Sequence, residues 1–140
     1  MNIFLSVSVN AGRQYLPTYQ HIADYLTGHG HTILDEQVVL DDMSKMETGK
    51  SHQWIHDKAK RDIKACDIFI AEITNPSTGV GVEIGYSVML GKPTYALYLK
   101  EMEDAVSIMV SGNGGVIRAA YNHREDLEKV LDSILSQYPK

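Results

Sequence analysis

The sequence predicts a three-layer α/β fold, in which a parallel sheet is covered by helices on both faces. Three observations lead to this prediction: short apolar and β-branched runs, segments of helical periodicity between them, and glycine or proline at the junctions. Strands that alternate with helices form parallel sheets, because each crossover helix returns the chain to the same edge by a right-handed connection. We therefore expect a sheet that is buried on both faces.

The amino-terminal half of the chain predicts two strands, two helices and one long loop. Residues 3–9, IFLSVSV, form an apolar run that ends at Asn10-Ala11-Gly12, a pattern typical of a buried strand followed by a tight loop. The apolar positions of residues 15–26 recur at helical spacing and are followed by Gly28, which predicts a helix. The remaining elements of this half are a short strand at 32–34, a polar loop at 38–51 and a helix at 51–65.

The carboxyl-terminal half predicts three more strands. The continuous apolar run 68–73 ends at Asn75-Pro76 and is a buried strand. The elements predicted after it are a glycine loop at 79–81, a helix at 84–90, a strand at 94–99, a short helix at 106–110, a strand at 116–119 and a helix at 127–135. Five strands of this kind favour the flavodoxin/Rossmann-like order 2-1-3-4-5, in which ligands bind at the carboxyl ends of strands one and three.

Length, charge and cysteine content exclude several classes of protein. A chain of 140 residues is expected to form one domain over residues 1–140, with an ordinary apolar fraction of 44% that excludes a disordered chain. A net charge of −5 repels phosphate polymers and anionic membranes, so no nucleic-acid or membrane partner is expected. The single cysteine, Cys66, excludes an internal disulfide, and no secretory segment opens the chain, so a cytoplasmic protein is predicted.

The glycine-rich segment at 79–85, GVGVEIG, is a candidate ligand site. Its third glycine comes one residue late for a dinucleotide fingerprint and it follows the third strand, so that interpretation is rejected. We expect a strand end, a glycine loop and the first turn of a helix, whose free N–H groups favour an anion. Glu83 is expected in that first turn, held ionised by the helix dipole, either as a reacting carboxylate or as a residue that only complements the dipole.

The block from Asp67 to Gly85, DIFIAEITNPSTGVGVEIG, continues to Gly91-Lys92-Pro93. This block closely resembles the core of the nucleoside 2-deoxyribosyltransferase superfamily, and within it the 2′-deoxynucleoside 5′-phosphate N-hydrolase branch. The likeness extends from the first strand to the last helix, although the central block carries it. The resemblance implies an enzyme that cleaves an N-glycosidic bond.

The same resemblance implies site residues. The glutamate of the glycine segment, here Glu83, attacks or shields the anomeric carbon of the sugar, which suits the positive charge that develops at C1′. The phosphate-binding branch implies serines around the 5′-phosphate, which correspond to Ser8, Ser77 and Ser107. Each of these serines has the alternative role of a loop or helix-cap hydroxyl. The other positions expected to contact substrate are Asn10, Gly79 and Gly81.

Two positions depart from the family pattern. Phe4 replaces a first-strand tyrosine, which favours ribose over deoxyribose, or is simply a buried strand residue. Ala59 replaces a helix aspartate that handles the leaving base or orients the sugar. Asp62 lies on the same inward helix face, but three residues farther from the ligand edge, about 4.5 Å along the axis. His56, closer to that edge, is the other candidate general acid, with a solvated surface histidine as the alternative.

The resemblance therefore implies hydrolysis of a ribo- or deoxyribonucleoside 5′-monophosphate to free base and sugar 5-phosphate. The alternatives are a nucleoside deoxyribosyltransferase, a non-catalytic nucleotide-binding module and, least favoured, cleavage of NAD at its nicotinamide riboside bond. The partner is a small nucleoside monophosphate or nucleoside, and no cofactor is expected. His52 and His56 have metal-ligand spacing but no accompanying glutamate, so no metal is expected. A homodimer or larger homo-oligomer is implied by the resemblance.

Overall fold

The centre of the molecule is a parallel sheet of five strands. The computed structural model describes residues 1–9, 14–35 and 49–139. Every neighbouring pair of strands is parallel and the order is 2-1-3-4-5, which confirms the predicted fold class. The strands are β1 (Asn2–Ser6), β2 (Thr32–Ile33), β3 (Ile68–Glu72), β4 (Thr94–Leu99) and β5 (Val116–Tyr121).

Helices cover both faces of this sheet. They are α1 (Leu16–Gly28), α2 (His52–Ala65), α3 (Thr78–Met89), α4 (Ile108–Ser111) and α5 (Arg124–Leu135), with a 3₁₀ segment at Lys100–Ala105. Among the helices of the described ranges, none is long and apolar enough to cross a membrane. Helices α1 and α5 pack on one face of the sheet, while α2, α3 and α4 pack on the other.

Alternation along the strands divides the core between the two faces. Ile3 and Leu5 of β1 point towards α1 and α5, whereas Phe4 points towards α2 and α3. On the second face, the rings of Phe4 and Phe69 are stacked with centroids 5.4 Å apart. Ser6 shares the parity of Phe4, so the end of β1 presents a polar side chain to the α2–α3 face.

The glycine-rich segment is helical, and the predicted glycine loop is wrong. Helix α3 begins at Thr78 because the Ser77 side chain caps it, accepting a hydrogen bond from the Val80 N–H at 3.4 Å. Val80 and Ile84, four residues apart, bury their side chains against the sheet and hold the segment in a helix despite its glycines. Glu83 therefore lies in the second turn of α3 and not in the first.

The other boundaries differ by a few residues. β1 ends at Ser6, three residues before its predicted end, where its pairing with β3 also stops. β5 continues to Tyr121, which pairs with Leu99, and α5 begins at Arg124, ahead of its first buried residue. The 3₁₀ segment that follows β4 was not expected. Most of the predicted 38–51 loop lies outside the described residues.

Candidate active site

Glu83 of α3 meets the carboxyl end of β1. The hydroxyl of Ser6, the last residue of that strand, donates a hydrogen bond of 2.8 Å to Glu83 Oε1. Ser6 is buried, and Glu83 is partly buried between α3 and the sheet. The carboxyl group is thus held at the strand edge where parallel α/β folds bind ligands.

The protonation of Glu83 differs from the expectation. Burial raises its pKa to about 7, the Ser6 hydrogen bond lowers it, and the negative charge of Asp35 raises it further. Because Glu83 lies in the second turn, the free N–H groups at the start of α3 do not hold it ionised. The sequence-based prediction of a stably ionised carboxylate is therefore wrong, and the group changes charge near neutral pH.

Helix α2 contributes the ammonium group of Lys58, which lies between two carboxylates. The Lys58 ammonium lies 2.7 Å from Asp62 Oδ2 and 4.0 Å from Asp35 Oδ2. Asp62 is accordingly in an ion pair on its own helix, with its side chain 20% exposed. Ala59, where the family aspartate was expected, packs against the core of the α2–α3 face.

His56 also lies against α3. Its Nε2 is 2.7 Å from the hydroxyl of Tyr86, and its Nδ1 is 2.8 Å from Asp57 Oδ1. Tyr86 is three residues after Glu83, so it lies on a neighbouring part of the same helix surface. His56 is solvent-exposed but has a partner, which places an imidazole along the α2–α3 seam. Within the described ranges, no group of three or more histidine, cysteine, aspartate or glutamate side chains could hold a metal ion.

Two of the three predicted serines share a cavity. Ser77 and Ser107 both line a space of about 590 Å³ between α3 and the segment around α4. Both serines cap helices, since the Ser107 side chain accepts a hydrogen bond from the Met109 N–H at 3.2 Å. A capping oxygen still has its hydroxyl hydrogen to donate, so the cap role leaves each serine able to bind an anion.

Glu83 is not among the described residues that line that cavity, although its neighbours Val82 and Ile84 are. Gly81 and Gly85 of α3 line it, and each is two residues from Glu83, roughly 200° around the helix. The cavity with Ser77 and Ser107 therefore borders the helix that carries Glu83.

The other residues that were expected to contact substrate lie in different environments. Phe4 is buried in its stack with Phe69, and Ser8 is fully buried just after β1. Gly79 and Gly81 are exposed in the first turns of α3. Asn10 lies outside the described residues.

Sequence reasoning missed three residues around Glu83: Ser6, Asp35 and Tyr86. The positions of two of them could have been inferred from the sequence. Ser6 is two residues after Phe4 and therefore shares its face of β1, and Tyr86 is three residues after Glu83 on one helix. Asp35 had no such signal, because its approach to Glu83 depends on how β2 packs beside β1.

Comparison with known proteins identifies relatives along most of the chain. Residues 10–120 match the family model for nucleoside 2-deoxyribosyltransferase. A Methanosarcina mazei protein, named provisionally as a 2′-deoxynucleoside 5′-phosphate N-hydrolase, is 35% identical over 132 residues, which cover 93% of this chain and 81% of that protein. A 5-hydroxymethyl-dUMP N-hydrolase of Danio rerio is 31% identical over 139 residues, covering 99% of this chain and 95% of that protein.

Solved structures share the fold. A CMP N-glycosidase of Clostridium botulinum superimposes with a TM-score of 0.68 and 21% identity, over 95% of this chain and 99% of that one. The match supports the sheet order and the placement of the helices.

Proposed function

The chain belongs to the nucleoside 2-deoxyribosyltransferase family, and we propose that it hydrolyses the N-glycosidic bond of nucleoside 5′-monophosphates, with Glu83 acting at C1′. Two relatives at 30% identity or more carry names that assign this bond cleavage to them. The observation that carries the assignment of Glu83 is its position: a carboxyl at the carboxyl end of β1, held through Oε1 by Ser6. A carboxylate at this edge can meet the cationic sugar carbon that forms as the base leaves.

The reaction balances with water as the only co-substrate. The C1′–N bond breaks and its electron pair stays on the base nitrogen, while positive charge develops at C1′. The Glu83 carboxylate bonds to C1′ or shields it, and water then supplies the oxygen of the sugar hydroxyl. The proton released from that water ends on the base, so the products are free base and sugar 5-phosphate.

The 5′-phosphate is assigned to serine hydroxyls and helix amides. Ser77 supports this assignment because it lies at the start of a helix of 12 residues, where N–H groups point outward, and its hydroxyl hydrogen remains available. Gly79 adds a backbone amide in the same first turn. A local site of this kind suits a chain with net charge −5, since it needs no basic surface.

A homodimer is part of the proposal. Large apolar side chains are exposed around the cavity: Met89 is 86% exposed, Ile108 86% and Met109 82%. Val82 and Met109 also line the cavity, so the apolar surface and the cavity are continuous. A second copy that covers this surface would close the cavity that Ser77 and Ser107 line. Ile108→Asp is expected to give monomers by sedimentation and to lower activity, whereas a dimeric, fully active variant contradicts this arrangement.

A cytoplasmic location remains a prediction from the single cysteine.

The decisive experiment is a panel of ribo- and deoxyribonucleoside 5′-monophosphates, with free base measured by chromatography. Release of base from at least one member, and its loss in Glu83→Ala, supports the proposal. The preference for ribose that the family resemblance implies at Phe4 is tested by the same panel, since the buried Phe4 ring stacks on Phe69 and has no hydrogen-bonding group. The matching nucleosides test the phosphate: Ser77→Ala is expected to raise KM for monophosphates and to leave nucleosides unaffected.

The alternatives give different outcomes in the same assay. A transferase would form a new nucleoside when a second base is added, in place of sugar phosphate. A binding module would be stabilised thermally by a nucleotide without releasing base. Release of nicotinamide from NAD, with none of the monophosphates cleaved, would move the substrate to a dinucleotide.

The acid that assists base departure is tested by a pair of variants. His56 is favoured over Asp62, since its Nε2 lies 2.7 Å from the hydroxyl of Tyr86 on the helix that carries Glu83, whereas Asp62 pairs with Lys58 on its own helix. His56→Gln should then lower kcat by about a hundredfold, the lower range for a general acid, and Asp62→Asn should lower it much less. Equal effects of the two substitutions would remove His56 from this role.

A further inference from the structure

The contact between Ser6 and Glu83 joins residues that are 77 positions apart in sequence. Ser6 is the last residue of β1 and its side chain is 1% exposed. Its hydroxyl is directed at the α2–α3 face, the same face as Phe4, and donates to Glu83 Oε1 at 2.8 Å. A buried hydroxyl therefore donates a hydrogen bond to the carboxyl group that the proposed reaction uses.

A serine has one hydrogen to donate, and this has a geometric consequence for the carboxylate. With Oε1 held by Ser6, rotation about the last side-chain bond of Glu83 is restricted, and Oε2 becomes the oxygen presented outward. Fixing a reacting group before the substrate arrives lowers the entropy that the reaction step has to lose. A carboxylate without this hydrogen bond would sample both orientations.

We propose that Ser6 is a positioning residue for the glycosidic reaction: its hydroxyl holds Oε1 of Glu83 so that Oε2 is the atom that faces C1′ of the nucleotide. This inference rests on the proposed function. Ser6 keeps its proton throughout, and no bond to it forms or breaks. Its effect reaches the substrate only through Glu83.

The charges around Glu83 make the role measurable. Burial and the negative charge of Asp35 raise the pKa of Glu83, and the Ser6 hydrogen bond opposes both. On α2, Lys58 lies between Asp35 and Asp62, and on α3 the Tyr86 hydroxyl contacts His56. Removing the hydroxyl of Ser6 leaves these groups in place, so the carboxyl should titrate at higher pH.

The experiment compares two variants of the same shape, Ser6→Thr and Ser6→Val. Both side chains are β-branched and fit a strand, but only threonine has a hydroxyl, so any packing disturbance is common to the two. Ser87→Ala is the matched control, because Ser87 is a buried serine of α3, the helix that carries Glu83, and its hydroxyl contacts the Thr94 hydroxyl at 2.7 Å. Two quantities are measured: the pH profile of kcat/KM, and the titration of Glu83 by carboxyl ¹³C NMR without substrate.

The expected result is that the valine variant loses about tenfold in kcat near neutral pH, and that the acidic limb of its profile moves up by about one pH unit. The threonine variant and Ser87→Ala should keep the limb of the parent protein. If valine and threonine variants have the same limb and the same kcat, Ser6 only fills space and the inference is overturned.

The two measurements separate this inference from the proposed function. If the parent protein releases no base from any monophosphate, the proposed function fails, and the role of Ser6 in that reaction fails with it. If the parent protein is active but the NMR titration of Glu83 is the same in the valine and threonine variants, only the role of Ser6 fails. A shifted titration with unchanged kcat and pH profile also overturns the inference, because the hydroxyl then affects the charge of Glu83 without positioning it.

Discussion

Two glutamates are withdrawn from solvent at the carboxyl edge of the sheet, on opposite faces. Glu72, the last residue of β3, is fully buried on the α1–α5 face and accepts hydrogen bonds from the Thr74 N–H, the Thr74 hydroxyl and the Tyr121 hydroxyl. Glu83, on the α2–α3 face, accepts one hydrogen bond among the described residues, from Ser6. Burial raises the pKa of both carboxyl groups.

Because the pKa of both carboxyl groups is raised, the pKa does not distinguish the two glutamates. They differ in the number of hydrogen-bond donors that contact each carboxylate. Three donors on Glu72 fill most of the acceptor capacity of the carboxylate and join β3 to β5, and Thr74 also accepts a hydrogen bond from the Leu99 N–H at 3.0 Å. Glu72 is thus a structural residue whose hydrogen bonds connect the ends of β3 and β5. Glu83 has acceptor capacity to spare and lies where parallel sheets bind ligands, which suits a reacting group.

The largest expected difference between the two faces is in activity. Glu83→Gln removes the charge that the proposed mechanism places at C1′ but keeps the hydrogen-bonding shape, so kcat/KM should fall by about a thousandfold or more. Steady-state assays with a cleaved monophosphate measure this, and Glu125→Gln, an exposed change on α5, is the control. Activity of Glu83→Gln within tenfold of the parent protein would mean that the reacting group lies elsewhere.

The next effect is on stability as pH changes. Folding raises the pKa of Glu83 from its ordinary value of 4.5 to about 7, so the folded protein binds this proton more tightly than the unfolded chain. The contribution of Glu83 to stability is complete below about pH 4.5 and is lost as pH rises through about 7. Over this range the free energy of unfolding of the parent protein should fall by about 3 kcal/mol relative to Glu83→Gln. Urea unfolding at several pH values measures the difference, and parallel curves would refute the assignment.

A third prediction concerns the face of Glu72. Tyr121→Phe removes one of its donors and leaves a buried acceptor partly unsatisfied, which should cost about 2 kcal/mol of stability while kcat/KM stays near that of the parent protein. The matched control is Tyr98→Phe on β4, whose hydroxyl contacts the exposed Glu103 at 2.9 Å, where water can replace it. Denaturant unfolding should show a clearly smaller loss for Tyr98→Phe. Equal losses of stability in the two variants would show that the hydrogen bonds of Glu72 do not have the structural role assigned to them.

The smallest expected effect is a shift in the pH profile. Asp35→Asn removes a negative charge near Glu83, so the pKa of Glu83 should fall and the acidic limb of kcat/KM should move down by less than about one pH unit. This is the opposite direction to that expected for the loss of the Ser6 hydroxyl. Movement of the limb to higher pH would show that Asp35 acts on Glu83 through packing and not through its charge.

Much of the fold could be predicted because it depends on local patterns. Apolar runs such as 68–73 and helical periodicity were sufficient for the strand order, since right-handed crossovers leave few alternatives. The start of α3 was missed because the glycines of 79–85 suggested a loop, whereas Ser77 caps a helix whose Val80 and Ile84 pack on the sheet. Tertiary packing overcame the weak helix propensity of glycine there.

The sequence was enough to predict the α/β class and the order of the strands, because both follow from short-range patterns and right-handed crossovers. The family resemblance within one segment singled out Glu83 as the candidate reacting group. The environment of that glutamate depends on the tertiary structure. Its raised pKa comes from burial, from Ser6 on β1 and from Asp35 after β2. Those groups are far from Glu83 along the chain, and desolvation and charge act through space, so no local pattern could specify them.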